Sequence, residues 1–118
     1  MASNEPKNKL TEKPVLVETA GIAASDVDRL LFADVNGAIL GAGAKALGVI
    51  NRDTKQGEAV PVMVQGIAIV RAGAAVSAGA EVESDAQGRA IPLASGKVNG
   101  FALTAAAQAG DLIRIVLK

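Results

Sequence analysis

Several acidic residues stand in pairs, and paired carboxylates are the first place to look for chemistry in this chain. Asp26 and Asp28 lie close together, as do Asp53 and Glu58, while Asp34 and Asp85 open two similar segments, Asp34-Val35-Asn36-Gly37 and Asp85-Ala86-Gln87-Gly88. Carboxylate pairs can share a proton in acid–base catalysis or hold a hard cation through oxygen ligands. Neither of the first two pairs has a spacing specific for metal, so both read as solvated surface acids. The Asp34 and Asp85 segments read as hairpin turns. Asp accepts hydrogen bonds from the turn backbone, and Gly takes the positive φ that other residues resist. Their recurrence is explained by backbone geometry, without catalysis. The glycine-rich run Gly37-Ala38-Ile39-Leu40-Gly41-Ala42-Gly43 is not followed by the Gly-Lys-Ser/Thr of a phosphate-cradling loop. Arg71, Arg89 and Arg114 are candidates for pairing with acids, a role that contributes little when exposed.

The chain contains no His and no Cys. This excludes a Cys nucleophile, a Ser–His–Asp triad, a thiolate or imidazole zinc site and His-ligated haem. Lys97, in Ser95-Gly96-Lys97-Val98, carries a sharper alternative: a lysine on a hairpin of a small duplicated β-sandwich is where carrier domains attach lipoyl or biotin. Such domains normally flank that lysine with Asp or Met, and Ser-Gly-Lys-Val departs from this. Lys97 therefore reads as solvent-facing. No catalytic residue, no metal and no cofactor is expected, and the chain reads as a non-enzyme.

Composition narrows the partners. Twelve Lys and Arg balance twelve Asp and Glu, so no net field draws the chain to nucleic acid or to a membrane surface. Phe32 and Phe101 are the only aromatic residues, which also removes the stacking platforms of single-strand binders and the Tyr and Trp anchors of many adhesion modules. No run reaches the length of a membrane span, and no signal-peptide apolar region is present near Met1. The absence of Cys fits folding in a reducing cytoplasm.

The elements that carry these residues fall into an arm and a repeated β domain. Residues 1–14, MASNEPKNKLTEKP, are polar and contain two prolines, with Leu10 as the sizeable apolar residue of the segment. Nothing there repays the entropy of ordering it alone, so it reads as an extended N-terminal arm. Residues 15–118 read as two similar units, about 15–65 and 66–118. Asp34 and Gly37 recur as Asp85 and Gly88 at an offset of 51, Gly48 as Gly100 at 52, and Gly57 as Gly110 at 53. Val60, Val62 and Val64 fall on Ile113, Ile115 and Leu117 at 53, and upstream Gly21 and Ser25 meet Gly73 and Ser77 at 52.

Each unit reads as short strands joined by turns. The first has Leu30–Ala33 with Ala38–Leu40, then Leu47–Ile50 with Ala59–Val64. The second has Glu81–Glu83 with Arg89–Leu93, then Phe101–Leu103 with Leu112–Leu117. The links 51–58 and 104–111 both end in Gly followed by an acid, a turn signal. Val60, Val62 and Val64 share a strand face, as do Ile113, Ile115 and Leu117; Pro61 and Met63 make the opposite face apolar too, so something must cover it. Pro61 points to an edge or a bulge. Ser25–Leu31 and Val76–Val82 also admit short helices, with Ser25-Asp26-Val27-Asp28 resembling a capping box. The whole predicts an all-β fold, a small β-barrel or sandwich with an internal pseudo-twofold duplication.

The order of motifs along the chain resembles a known family. It runs through Gly48-Val49-Ile50, Gly57-Glu58-Ala59-Val60-Pro61-Val62 and Gly66. Then come Ala72–Val82, Ser84-Asp85-Ala86-Gln87-Gly88-Arg89-Ala90 and Gly100-Phe101-Ala102-Leu103, with Ala109-Gly110-Asp111 and Ile113-Arg114-Ile115-Val116-Leu117 closing the chain. This resembles the capsid-cement, or head-decoration, proteins of tailed bacteriophages, over about Val15 to the C-terminus. The resemblance implies a structural virion protein on the capsid exterior, made in the host cytoplasm. Its expected partners are the major capsid protein and two further copies in a homotrimer, with no nucleic acid and no membrane. The expected capsid-contacting arm holds Asn4, Glu5, Lys7, Lys9, Leu10, Thr11 and Lys13, and Pro61, Met63 and Val116 are candidates for a subunit interface. The alternatives are a virion- or cell-surface adhesion module and the lipoyl- or biotin-type carrier.

Overall fold

Alternation of buried and outward residues makes the longest-range strands. The structure, a computed structural model, describes residues 11–118, leaving out the side chains of Pro14 and Val15. Its eight strands are β1 (Lys13–Ile22), β2 (Phe32–Ala33), β3 (Gly48–Ile50), β4 (Ala59–Arg71), β5 (Glu81–Ser84), β6 (Ala90–Pro92), β7 (Gly100–Ala102) and β8 (Leu112–Leu117). In β8, Ile113 and Ile115 are fully buried, while Leu112, Arg114 and Val116 face outward, as a period of two requires. β4 is the spine. Its Val60 and Val62 enter a smaller core with Ala23, Val27, Ala33 and Ile50. Met63, Ala68 and Val70 enter a larger one with Phe32, Val49, Val82, Ile113 and Ile115. Odd-numbered Met63 and even-numbered Ala68 reach the same core because Gly66, at φ +123°, bends the strand between them.

All pairing between the strands is antiparallel, in the order β2-β3-β4-β8-β7-β5-β6, with β1 added to β4. Val62 and Met63 pair with both β1 and β3, and Ile67 with both β1 and β8. So β1 runs along one edge of β4, and β3 and β8 follow each other along the opposite edge. The two ends of the sheet meet: Phe32 N–H of β2 donates to Gly88 O in the β5–β6 turn at 2.7 Å. The result is a β-barrel closed but for one corner, as the sequence predicted.

Differences from expectation lie at the margins. Among the described residues none is helical. Val27 forms an isolated bridge with Thr54, Val76 one with Ala106, and Leu30 adopts φ +70°, so neither candidate helix forms. The Asp26 carboxylate spans to the Gln56 N–H at 2.8 Å rather than capping its own segment. Ala38–Leu40 is reduced to a bridge between Ile39 and Ala33. β4 continues seven residues past the expected Val64, and β1 begins at Lys13 inside the expected arm. Pro61 lies opposite Thr19, beside the break in β1 register between Thr19 and Ile22, the kind of irregularity its missing N–H suits.

Backbone contacts recur in the two halves. Asp34 N–H donates to Ala38 O and Asp85 N–H to Arg89 O; Leu47 N–H donates to Ala33 O and Asn99 N–H to Val82 O. Ala23 N–H donates to Glu58 O and Gly57 N–H to Ala23 O, as Ala72 N–H does to Asp111 O and Gly110 N–H to Ala72 O. These contacts align Ala23 with Ala72, an offset of 49, rather than the 52 expected upstream from Gly21 and Ser25.

Candidate functional site

The paired acids act as braces. Asp26 Oδ1 accepts from Gln56 N–H and Asp53 Oδ1 from Arg29 N–H, both at 2.8 Å, locking the 26–29 and 53–56 loops together. Asp28 borders the shallow cleft between them, and Lys55 Nζ stands 3.9 Å from Asp26 with both side chains exposed. Glu58 Oε1 accepts from Lys55 N–H at 3.0 Å. Asp34 Oδ1 accepts from Asn36 and Ala38 N–H at 2.8 and 3.0 Å; Asp85 Oδ1 accepts from Gln87 and Arg89 N–H at 2.9 and 2.8 Å. Arg89 Nε then donates to Asp85 Oδ2 at 2.7 Å. Among the described residues no three acids gather closely enough to hold a metal ion.

Two braces escaped sequence reasoning. Glu83 is 6% exposed, and its Oε1 accepts from Ala94 N–H at 2.5 Å and Gly96 N–H at 3.1 Å. Buried Asn99 accepts from Ala46 N–H at 2.8 Å and donates to Ala44 O at 3.1 Å. Glu83 lies in β5 and Asn99 just before β7, and neither position carries a sequence signal for a brace. They pull the loops around Gly43 and Gly96 together, and Lys97 N–H donates to Gly43 O at 3.0 Å. Lys97 itself is exposed on that braced loop.

With Asp26, Asp34, Asp53, Glu58 and Asp85 holding turn and loop backbone, two other features of the described surface stand out. A notch of about 200 Å³ lies among Ile22, Ala23, Val27, Asn36 and Ile39, below the usual range of small-molecule sites. A broader feature is the outer face of β4, β8 and β7. Ile67, Ile69 and Arg71 stand opposite Val116, Arg114 and Leu112, and Phe101 stands on the other side of Val116. Val116 is thus half-buried in the middle of this face. Met63, its companion in the expected subunit interface, is 1% exposed; it fills the core and presents nothing to a partner. Pro61 is half-buried between β1 and β3. Of the expected arm, Thr11 lies against this face, its carbonyl accepting from Arg114 Nε at 3.1 Å, and Lys13 pairs with Ile67. Asn4, Glu5, Lys7, Lys9 and Leu10 lie outside the described residues.

Comparison with known proteins gives the context for such a surface. The sequence profile of the phage cement proteins matches residues 11–117. No curated protein matches the chain. Among solved structures, the head fiber gp8.5 N base of bacteriophage phi29 superposes with a TM-score of 0.67, over 87% of this chain and 93% of that one. At 23% identity, that likeness is one of fold.

Proposed function

This chain belongs to the phage cement protein family, and from that premise we propose that it binds the outside of the expanded phage capsid and stabilises it by linking neighbouring capsid subunits. The observation that carries the reading is the family match across residues 11–117. The phi29 protein of similar fold is a head fiber base. The protein acts without catalysis or cofactor, on the virion exterior, after synthesis in the host cytoplasm.

In this reading the domain of residues 15–118 derives from two similar units, about 15–65 and 66–118, and the recurrent backbone contacts support that origin. Asn4 to Lys13 lie along the shell, with Leu10 as an apolar peg. Three copies act together, so that avidity replaces a large single interface. Ordering an arm costs free energy at the moment of binding, so a precursor shell with subunits out of register binds poorly. The test is co-sedimentation with expanded, undecorated capsids, comparing the full chain with one starting at Val15. Saturation of the shells by the full chain and weak binding by the shorter one are expected. A full chain that stays in the supernatant at micromolar concentration would overturn the proposal and favour an adhesion module.

A further inference from the structure

The outer face of β4, β8 and β7 combines an apolar centre with a cationic surround. Ile67, Ile69, Val116 and Phe101 are half-buried there, and Leu103 and Leu112 are 36% and 41% exposed. Among these apolar side chains stand Arg71 and Arg114, cross-strand from Leu112 and Ile69. Lys118 Nζ lies 5.4 Å from the centre of the Phe101 ring, and Lys13 stands opposite Ile67. Glu81, opposite Phe101, is the acid of this face. Among the described residues the ion pairs are Lys55–Asp26 and Arg89–Asp85, so neither Arg71 nor Arg114 is neutralised.

The geometry points to this face as the surface by which the protein docks on the shell, with a partner that presents carboxylates around an apolar centre on a capsid subunit. The inference rests on the capsid-binding reading above and adds to it the face and the complementary chemistry. Arginine set among apolar side chains is characteristic of interface centres, because its planar, weakly hydrated head loses little on burial and fits a carboxylate with two bonds. A second copy docking by the same face would set arginines against arginines, which the charge pattern opposes. The first described residue lies against the same face, with Arg114 Nε donating to the Thr11 carbonyl.

The test compares the full chain with R71E/R114E and with R71K/R114K, by co-sedimentation with expanded capsids over a range of salt concentrations. Both arginines lie on the outer wall, and thermal unfolding of each variant verifies that the fold is kept. Charge reversal is expected to weaken binding at least ten-fold and to flatten its salt dependence, while the lysine variant, which keeps the charge but loses the planar two-bond fit, is expected to fall between wild type and reversal. If reversal unfolds the chain, R71Q/R114Q replaces it and is expected to weaken binding by at least three-fold. Equal binding by wild type and a folded charge variant overturns this face as the docking surface while leaving capsid binding intact. A change in the sedimentation coefficient of the free protein on reversal, with capsid affinity unaltered, overturns it in favour of contact between copies. Failure of the wild type itself to bind removes the capsid reading and this inference together.

Discussion

Asp34 and Asp85 sit in matching turns, and each accepts two backbone N–H groups through one carboxylate oxygen. Gly37 and Gly88, at φ +84° and +74°, close the two turns alike. The turns differ in what surrounds them. Asp85 holds Arg89 Nε as well, and Arg89 in turn donates to Gln87 Oε1 at 3.1 Å, whereas the position of Arg89 in the first half is exposed Ala38. The strand that feeds the second turn is longer, four residues in β5 against two in β2. That extra length carries Glu83 and Ser84, both buried, and Glu83 anchors the 94–96 loop. The two halves thus share a backbone pattern set by Asp, Gly and strand alternation, while the second has added side-chain bracing.

The largest effect should come where the halves are most alike. A Cβ on Gly48 would run into the Met63 carbonyl oxygen, and one on Gly100 into that of Val116. Gly48→Ala and Gly100→Ala should each cost about 3 kcal/mol or more, since neighbouring backbone must shift, measured by urea unfolding. A loss at one site and not the other would break the equivalence. Glu83→Ala, which has no counterpart in the first half, should cost about 2–3 kcal/mol by stranding two backbone donors. Hydrogen exchange at Ala94 and Gly96 should rise with it. Asp85→Ala should cost about 1.5 kcal/mol and Asp34→Ala about 1 kcal/mol, since the first carboxylate holds Arg89 Nε in addition to two backbone N–H groups; equal losses would show that Arg89 adds nothing. Lys55→Ala should change stability by less than about 0.5 kcal/mol, because its ion pair with Asp26 is long and exposed.

What the sequence made legible is what local chemistry controls. The Asp–Gly turns, the Gly–acid turns before β4 and β8, and the buried faces of Val60, Val62, Ile113 and Ile115 all follow from residue type and a period of two. β1 was not legible as a strand, because Leu16, Val17, Glu18 and Thr19 are all exposed and no alternation marks it. Its partner β4 specifies it from outside. The extension of β4 beyond Val64 was hidden by the bend at Gly66, which breaks the alternation. Met63 read as a candidate for a subunit interface because its face needed a cover; the cover is the larger core of the same chain, which only the closed barrel shows. The roles of Glu83 and Asn99 were not legible because their partners are backbone groups of loops elsewhere in the chain, and sequence patterning carries no trace of those. The outer face of β4, β8 and β7 was visible only in part, through Val116 and Arg114; cross-strand register was needed to bring Arg71, Ile69 and Phe101 beside them.

Cryo-electron microscopy of expanded capsids incubated with the purified full chain tests the central claim most directly. Added density is expected on the outside of the shell, shaped as this barrel, touching more than one capsid subunit, with the β4–β8–β7 face turned toward the shell. Shells that show no added density after incubation at saturating concentration, or density confined to the interior, would contradict it.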